Sequence, residues 1–270
     1  MLVVSHALVL SQPAVLTDNL PLIGWRNVVT TSNLAATSAD LIYPATNLAN
    51  PSTGLKWLAT STADQYLTVT FSDVTEVDYV ALARHNFADA AVSVSVEALY
   101  DSVWEEIVEP FLPGTNAPIL MRFEEQAPEA IRVKLASGDA AASLAVLYVG
   151  KLLVMERGVN IDTPHTPMNF GRVTEATPGY SDAGDYLGTI ITSRYCQTSE
   201  QFSHLSPTWY RSEFDPFVSF AEDAPFFYVW RPAAYPDEVG YAKLTSDPAP
   251  TVNPKTNRFN VSLSMRGVLL

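Results

Sequence analysis

The sequence predicts a mostly β protein in two units: a β-sandwich, then a second β-rich unit of α+β character with one or two short helices. Three observations carry that prediction. Short alternating segments separated by turn formers fill the stretch from Tyr43 to Val149, no long helical crossover joins them, and a proline- and glycine-dense stretch divides them from an aromatic-rich C-terminal part. With 47% hydrophobic residues among 270, the chain has enough apolar material for one large core or two ordinary ones.

The opening, MLVVSHALVLSQPAVL, is apolar but lacks the basic start of a secretion signal, and Ser5, His6, Ser11 and Gln12 interrupt it. It is expected to be an edge strand, or a clamp onto a neighbour, within an N-terminal arm at 1–39. The sandwich is placed at 40–155. Strands are expected at 66–71, 77–83, 91–100, 118–123, 130–135 and 144–149. In AVSVSVEALY, Val92, Val94, Val96 and Ala98 share one face while Ser93, Ser95 and Glu97 share the other, the period-two pattern of a sheet with one buried side. Ile131, Val133 and Leu135 alternate in the same way with Arg132 and Lys134. The acids from Glu97 through Glu109 are expected to line a solvated edge, with Trp104 covering the sheet.

A connector or arm is expected at 156–180, where Pro164, Pro167, Gly171, Pro178 and Gly179 mark turns and irregular crossings. The second unit then runs over 181–270. It opens on a strand at 186–197. Ser206 reads as a helix cap with Pro207 at the first helical position, where a missing N–H costs nothing, and the helix is expected to reach Glu213 or Phe214. Pro216 either ends it or, with Asp215 as a new cap, starts a second short turn. Strands follow at 225–230, 239–244 and 258–266, the last alternating Phe259, Val261, Leu263 and Met265. Lying at the end of the sequence, that last strand must pair inside the fold or with a neighbour.

Sixteen basic residues against 29 acidic ones give a net charge of −13, which repels phosphate backbones, so no nucleic-acid partner is expected. No segment approaches 18 uninterrupted apolar residues, and no membrane insertion is expected. Cys196 is the single cysteine, which excludes an internal disulfide. The four histidines are scattered without metal-ligand spacing, there is no nucleophile elbow, and neither the glycines of a phosphate-binding loop nor a calcium-loop pattern occurs. The acidic doublets Glu105–Glu106 and Glu124–Glu125 would point to opposite faces of a strand, which spoils them as an acid and base pair. The sequence therefore nominates no catalytic residue, no metal site and no cofactor.

Candidate ligand-binding residues come from the aromatics and amides near one end of the sandwich: Tyr43, Asn47, Trp57, His85 and Asn86. Aromatic faces stack against sugar rings, and the amides supply hydrogen bonds. Trp57 is open to a second reading, preferred here, as a plug of the sandwich between Leu55 and Leu58. For His85 an ordinary loop hydrogen bond is likewise preferred over a ligand contact.

The succession ATNLANPSTGLKWLAT, DQYLTVTFSDVTEVDYVAL, VSVSVEALYDSVWEEI, PEAIRVKLAS and ASLAVLYVGKLL resembles the discoidin, or coagulation factor 5/8 C-domain-like, jelly roll over about 110 residues. Lys56-Trp57 stands at the place of its Thr/Lys-x-Trp element, without the intervening residue. Phe71-Ser72 replaces the usual leucine and glycine, and Asp101 to Trp104 takes the place of its glycine-tryptophan hairpin. The resemblance implies a jelly roll with loops at one end that hold glycans or lipid headgroups, or a purely structural role. The terminal disulfide common in extracellular members is missing. As a whole, through PFFYVWRPAAYPDEVGYAKL to NRFNVSLSMRGVLL, the chain is similar to tail-tip or baseplate components of tailed bacteriophages. That similarity implies a non-enzymatic virion protein, assembled in the host cytoplasm into the tail, forming a ring or hub with copies of itself and other tail proteins. The alternative is a carbohydrate-binding adhesion module for host surface glycan. A polysaccharide-degrading enzyme ranks last.

Overall fold

The computed structural model describes residues 1–6, 8, 19–160, 162 and 164–268. It stacks three β-sheets and a helical segment. The first sheet has the order β3 (Leu34–Ala36), β5 (Gln65–Thr70), β10 (Ala130–Leu135), β7 (Val94–Tyr100), β8 (Val103–Phe111). Facing it is a middle sheet of β1 (Leu2–Val4), β9 (Ile119–Gln126), β6 (Val77–Ala83) and β12 (Val146–Gly150). A short ladder of β4 (Trp57–Leu58) and β11 (Ser143–Leu144) closes one end. The chain passes between the two sheets at nearly every turn from β5 to β12, as in a jelly roll. Leu67, Val96 and Val133 of the first sheet pack against Val80, Leu82 and Met121 of the middle one.

The third sheet has the order β13 (Leu153–Val154), β2 (Leu22–Gly24), β16 (Phe226–Val229), β17 (Val239–Leu244), β19 (Arg258–Val268), β15 (Tyr186–Leu205), β14 (Arg172–Tyr180), with β18 (Thr251–Asn253) paired to β19. Its strands do not follow the expected segments. β2 comes from the 1–39 arm and β13 from the end of 40–155, yet both hydrogen-bond within a sheet otherwise built by 172–268. This sheet covers the outer face of the middle one: Tyr79, Ala81 and Tyr148 meet Phe227, Val239 and Tyr241. Being covered on both sides, β6 and β12 are apolar almost throughout, whereas a strand with one wet face alternates. Three hydroxyls clasp the layers. Tyr79 donates to the Arg26 carbonyl at 2.6 Å, Tyr148 to Pro225 at 2.9 Å and Tyr241 to Pro51 at 2.7 Å.

On the far side of the third sheet, Phe202, Phe226, Leu263 and Met265 pack under a helical segment through Phe214 and Phe217. That segment opens at Pro207–Trp209, widens into a π-helical turn at Tyr210–Phe214 and closes as a helix at Asp215–Ala221. Pro216 does not end it, because it sits in the first turn of the closing helix, where no intrahelical N–H is required. Ser206 does stand at the cap, but its side chain makes no capping bond, and its N–H is taken by the Glu156 carboxylate at 2.6 Å.

The opening segment is the expected edge strand, with β1 parallel to β9, while Ser11 and Gln12 lie outside the described residues. Other expectations are corrected. The second half of the expected connector is not irregular: Arg172–Tyr180 is β14, paired along its length with β15. β15 itself runs to Leu205 rather than Gln197, held by β19. Glu97 is buried rather than solvated. It pairs with Arg132 and lies 3.8 Å from Lys134, and Arg132 sits over the rings of Trp104 and Tyr66 at 4.0 and 4.4 Å.

Candidate functional site

The five nominated residues fall into two groups joined by the β4–β11 ladder. Trp57 is wholly buried and pairs with Leu144, and its indole N–H donates to the Ser38 carbonyl at 2.8 Å. Both ring faces are therefore covered, and the residue is the plug. The Asn47 amide donates to the Lys56 carbonyl at 2.8 Å and so pins the loop before β4. Asn86 donates to the Ala141 carbonyl at 2.9 Å and accepts from the Ser143 N–H at 2.8 Å, which fixes β11 from the other side.

His85 is also buried. Its Nε2 bonds the Ala117 carbonyl at 2.9 Å, its Nδ1 accepts from the Phe87 N–H, and its ring stacks on Phe87 at 4.5 Å. Burial pushes its pKa down to about 4, so it is neutral at physiological pH. Of the five, Tyr43 is the most open, at 37% exposure, while Asn47 and Asn86 are half-buried; the Lys56 ammonium lies 5.0 Å from the Tyr43 ring, and Leu41, Ile42 and Leu55 are exposed nearby in sequence. The loop that carries Pro51 is not free at its far side, since that carbonyl is the acceptor for Tyr241.

Cys196 is buried in β15 among the residues that pack beneath the helical segment, and burial raises its thiol pKa, which makes it a poor nucleophile. Among the described residues no cluster of three or more metal-ligating side chains occurs, and no helix is long and apolar enough to cross a membrane.

Two features of the surface were not nominated from the sequence. The first is the free end of the β14–β15 hairpin. From Arg172 to Tyr180 and back from Tyr186, both faces of this ribbon are in solvent, and it carries Tyr180, Tyr186, Leu187 at 69% exposure and Ile190 at 75%. Its tip, Ser181 to Asp185, is a turn in which Ser181 and Asp185 bond each other through backbone and side chain. Asp182 and Asp185 are both exposed there.

The second is a groove at the root of the same hairpin, made of two adjoining cavities of about 570 and 370 Å3 that share Arg194 and Val268. Arg172 lines the first, and Arg84, Lys243 and Arg266 line the second. All five basic side chains are exposed, and Arg84 is held at φ 58°, a left-handed conformation that costs a non-glycine residue strain. The cations come from five separate strands or strand ends, so nothing in any one segment announces them.

No family model matches the chain. Nor does any curated protein match it significantly. Solved structures of similar fold cover about half of it. One is chitosan-binding module 1 from a chitosanase/glucanase of Paenibacillus sp. IK-5, 18% identical, covering 46% of this chain and 98% of that one at a TM-score of 0.41. Another is the family 32 carbohydrate-binding module of Clostridium perfringens NanJ in complex with galactose, 16% identical, covering 49% and 99% at 0.38. A Ruminococcus gnavus GH29 fucosidase is matched over 48% of this chain and 27% of its own length, at 14% identity and 0.40. At such identities and scores these likenesses extend to no ligand or reaction.

Proposed function

We propose that the chain is a non-enzymatic structural subunit of a bacteriophage tail tip or baseplate, joined to its neighbours through the β14–β15 hairpin. The observation that carries this is the hairpin itself. A two-stranded ribbon with both faces wet is marginally stable alone, and this one displays large apolar side chains that nothing among the described residues covers. Such a patch is used by burying it against a partner. Pro178 removes a backbone donor from the outer strand, which discourages unspecific strand pairing along that edge. The virion setting is supported by the sequence resemblance alone. Replacing Thr177–Ile190 by Asn-Gly, a turn that suits the Ala176–Ile191 register, should leave circular dichroism unchanged while the chain no longer enters particles. Normal incorporation of the shortened chain would overturn the proposal.

A second reading, glycan binding by the sandwich, is favoured by the half-exposed ring of Tyr43 beside Lys56. On that reading Tyr43→Ala abolishes retention on a glycan array without lowering stability. Trp57→Ala instead costs about 3–5 kcal/mol of folding free energy, read from urea unfolding, because it empties a filled core site. Unchanged glycan retention by Tyr43→Ala would remove this reading. Incubation with host surface polymer is expected to release no new chain ends.

A further inference from the structure

We infer that the acidic tip of the hairpin docks into the basic groove of a second copy of this chain, head to tail. This rests on the hairpin being a docking arm and names what it docks to. The chain carries a net charge of −13, yet four of its sixteen basic residues, Arg84, Arg194, Lys243 and Arg266, line one cavity, with Arg172 in the adjoining one. Among the described residues none of the five forms an ion pair. Lys243 reaches the Asp223 carbonyl at 3.3 Å, and Arg266 lies over the Tyr195 ring at 3.6 Å. The carboxylate of Glu175, at the hairpin root, is engaged by Ser193 and Tyr195 and feels the charge of Arg266.

The complement is on the same molecule but out of its own reach. Asp182 and Asp185 sit at the far end of a strand pair whose nine residues in β14 span on the order of 25–30 Å. Arg172 and Arg194 stand at its base, paired into the ladder through Cys196 and Thr174. A ribbon cannot fold its tip back onto its own root, so the contact runs between copies. The tyrosines flanking the tip, Tyr180 and Tyr186, add ring faces on which guanidinium groups stack. Tip and groove are different surfaces, which makes the contact heterologous: repeated, it closes into a ring or runs on as a filament.

The test is sedimentation velocity on the full chain at low and high salt. Wild type should self-associate at low salt and dissociate as salt screens the contact. Asp182→Lys with Asp185→Lys, and separately Arg194→Glu with Arg266→Glu, should each weaken self-association by about tenfold or more. Mixing the two doubly substituted chains should restore it, since the reversed tip then meets the reversed groove, and restoration also shows that both chains fold. Failure of the mixture to associate would overturn the inference, as would a wild type that stays monomeric. Occupation of the groove by polygalacturonate in place of a second copy would do the same. If the groove variant assembles normally but the hairpin-shortened chain does not, the groove is wrong and the docking arm stands. If the shortened chain also assembles normally, both fall.

Discussion

Glu200 lies fully buried in β15, one carboxylate oxygen without a hydrogen-bond partner and 3.8 Å from His165 Nε2, while the Thr198 hydroxyl reaches the other at 3.5 Å. The Tyr228 hydroxyl is buried without a partner as well, and that burial, aided by the charge of Glu200, pushes its pKa well up. Burial raises the Glu200 carboxyl from 4.5 to about 7. The folded state therefore holds a proton that the unfolded chain has released, and stability falls as pH rises from about 4.5 through 7. His85 acts in the opposite sense. Its folded pKa of about 4 lies below the usual 6.5, so its contribution is lost as pH falls through that interval. Glu200→Gln keeps the shape and removes the titration. Its melting temperature should gain on wild type between pH 5 and about pH 7 and level off above that, and a parallel pair of curves would show that Glu200 is not the group responsible.

At the scale of elements, the approach of β2 to the middle sheet is set by a missing side chain. A Cβ on Gly24 would lie 2.8 Å from the Tyr79 ring and 3.4 Å from the Phe227 Cβ, so a larger residue must push the layers apart. Gly24→Val is expected to cost about 1–3 kcal/mol in urea unfolding, and an unchanged midpoint would mean that the layers yield freely. β2 is also an element that the sequence conceals. Three residues, Leu22 to Gly24, have no period to read, and β13 has two. Strands that carry their own signal were legible: β10 through Ile131, Val133 and Leu135, and β17 as an apolar run ended by Lys243. β14 was not, because Pro178 and Gly179 read as turn formers and its extended form comes from pairing with β15. Trp57 was legible as a plug from its leucine neighbours. The groove was not, since its cations lie between residues 84 and 266 and meet only when the third sheet closes.

For the whole molecule, the shared layer of Tyr79, Tyr148, Phe227 and Tyr241 ties the sandwich to the third sheet. Removing either would bare a broad apolar face, so the two should unfold together. Calorimetry of the full chain is expected to show one transition whose van't Hoff and calorimetric enthalpies agree, and two resolved peaks would contradict that coupling. The order of the strands has another consequence. The middle sheet is complete once Gly150 has been made, but β16, which with β17 supplies most of the cover of its outer face beside β2, starts at Phe226, 76 residues further on. At roughly 5–20 residues per second, the nascent chain spends about 4–15 s with most of that face bare. During synthesis this protein is thus a client for whatever in the cell shields unfinished β-sheets, and its yield will depend on translation speed between residues 150 and 226 more than on the stability of the finished fold.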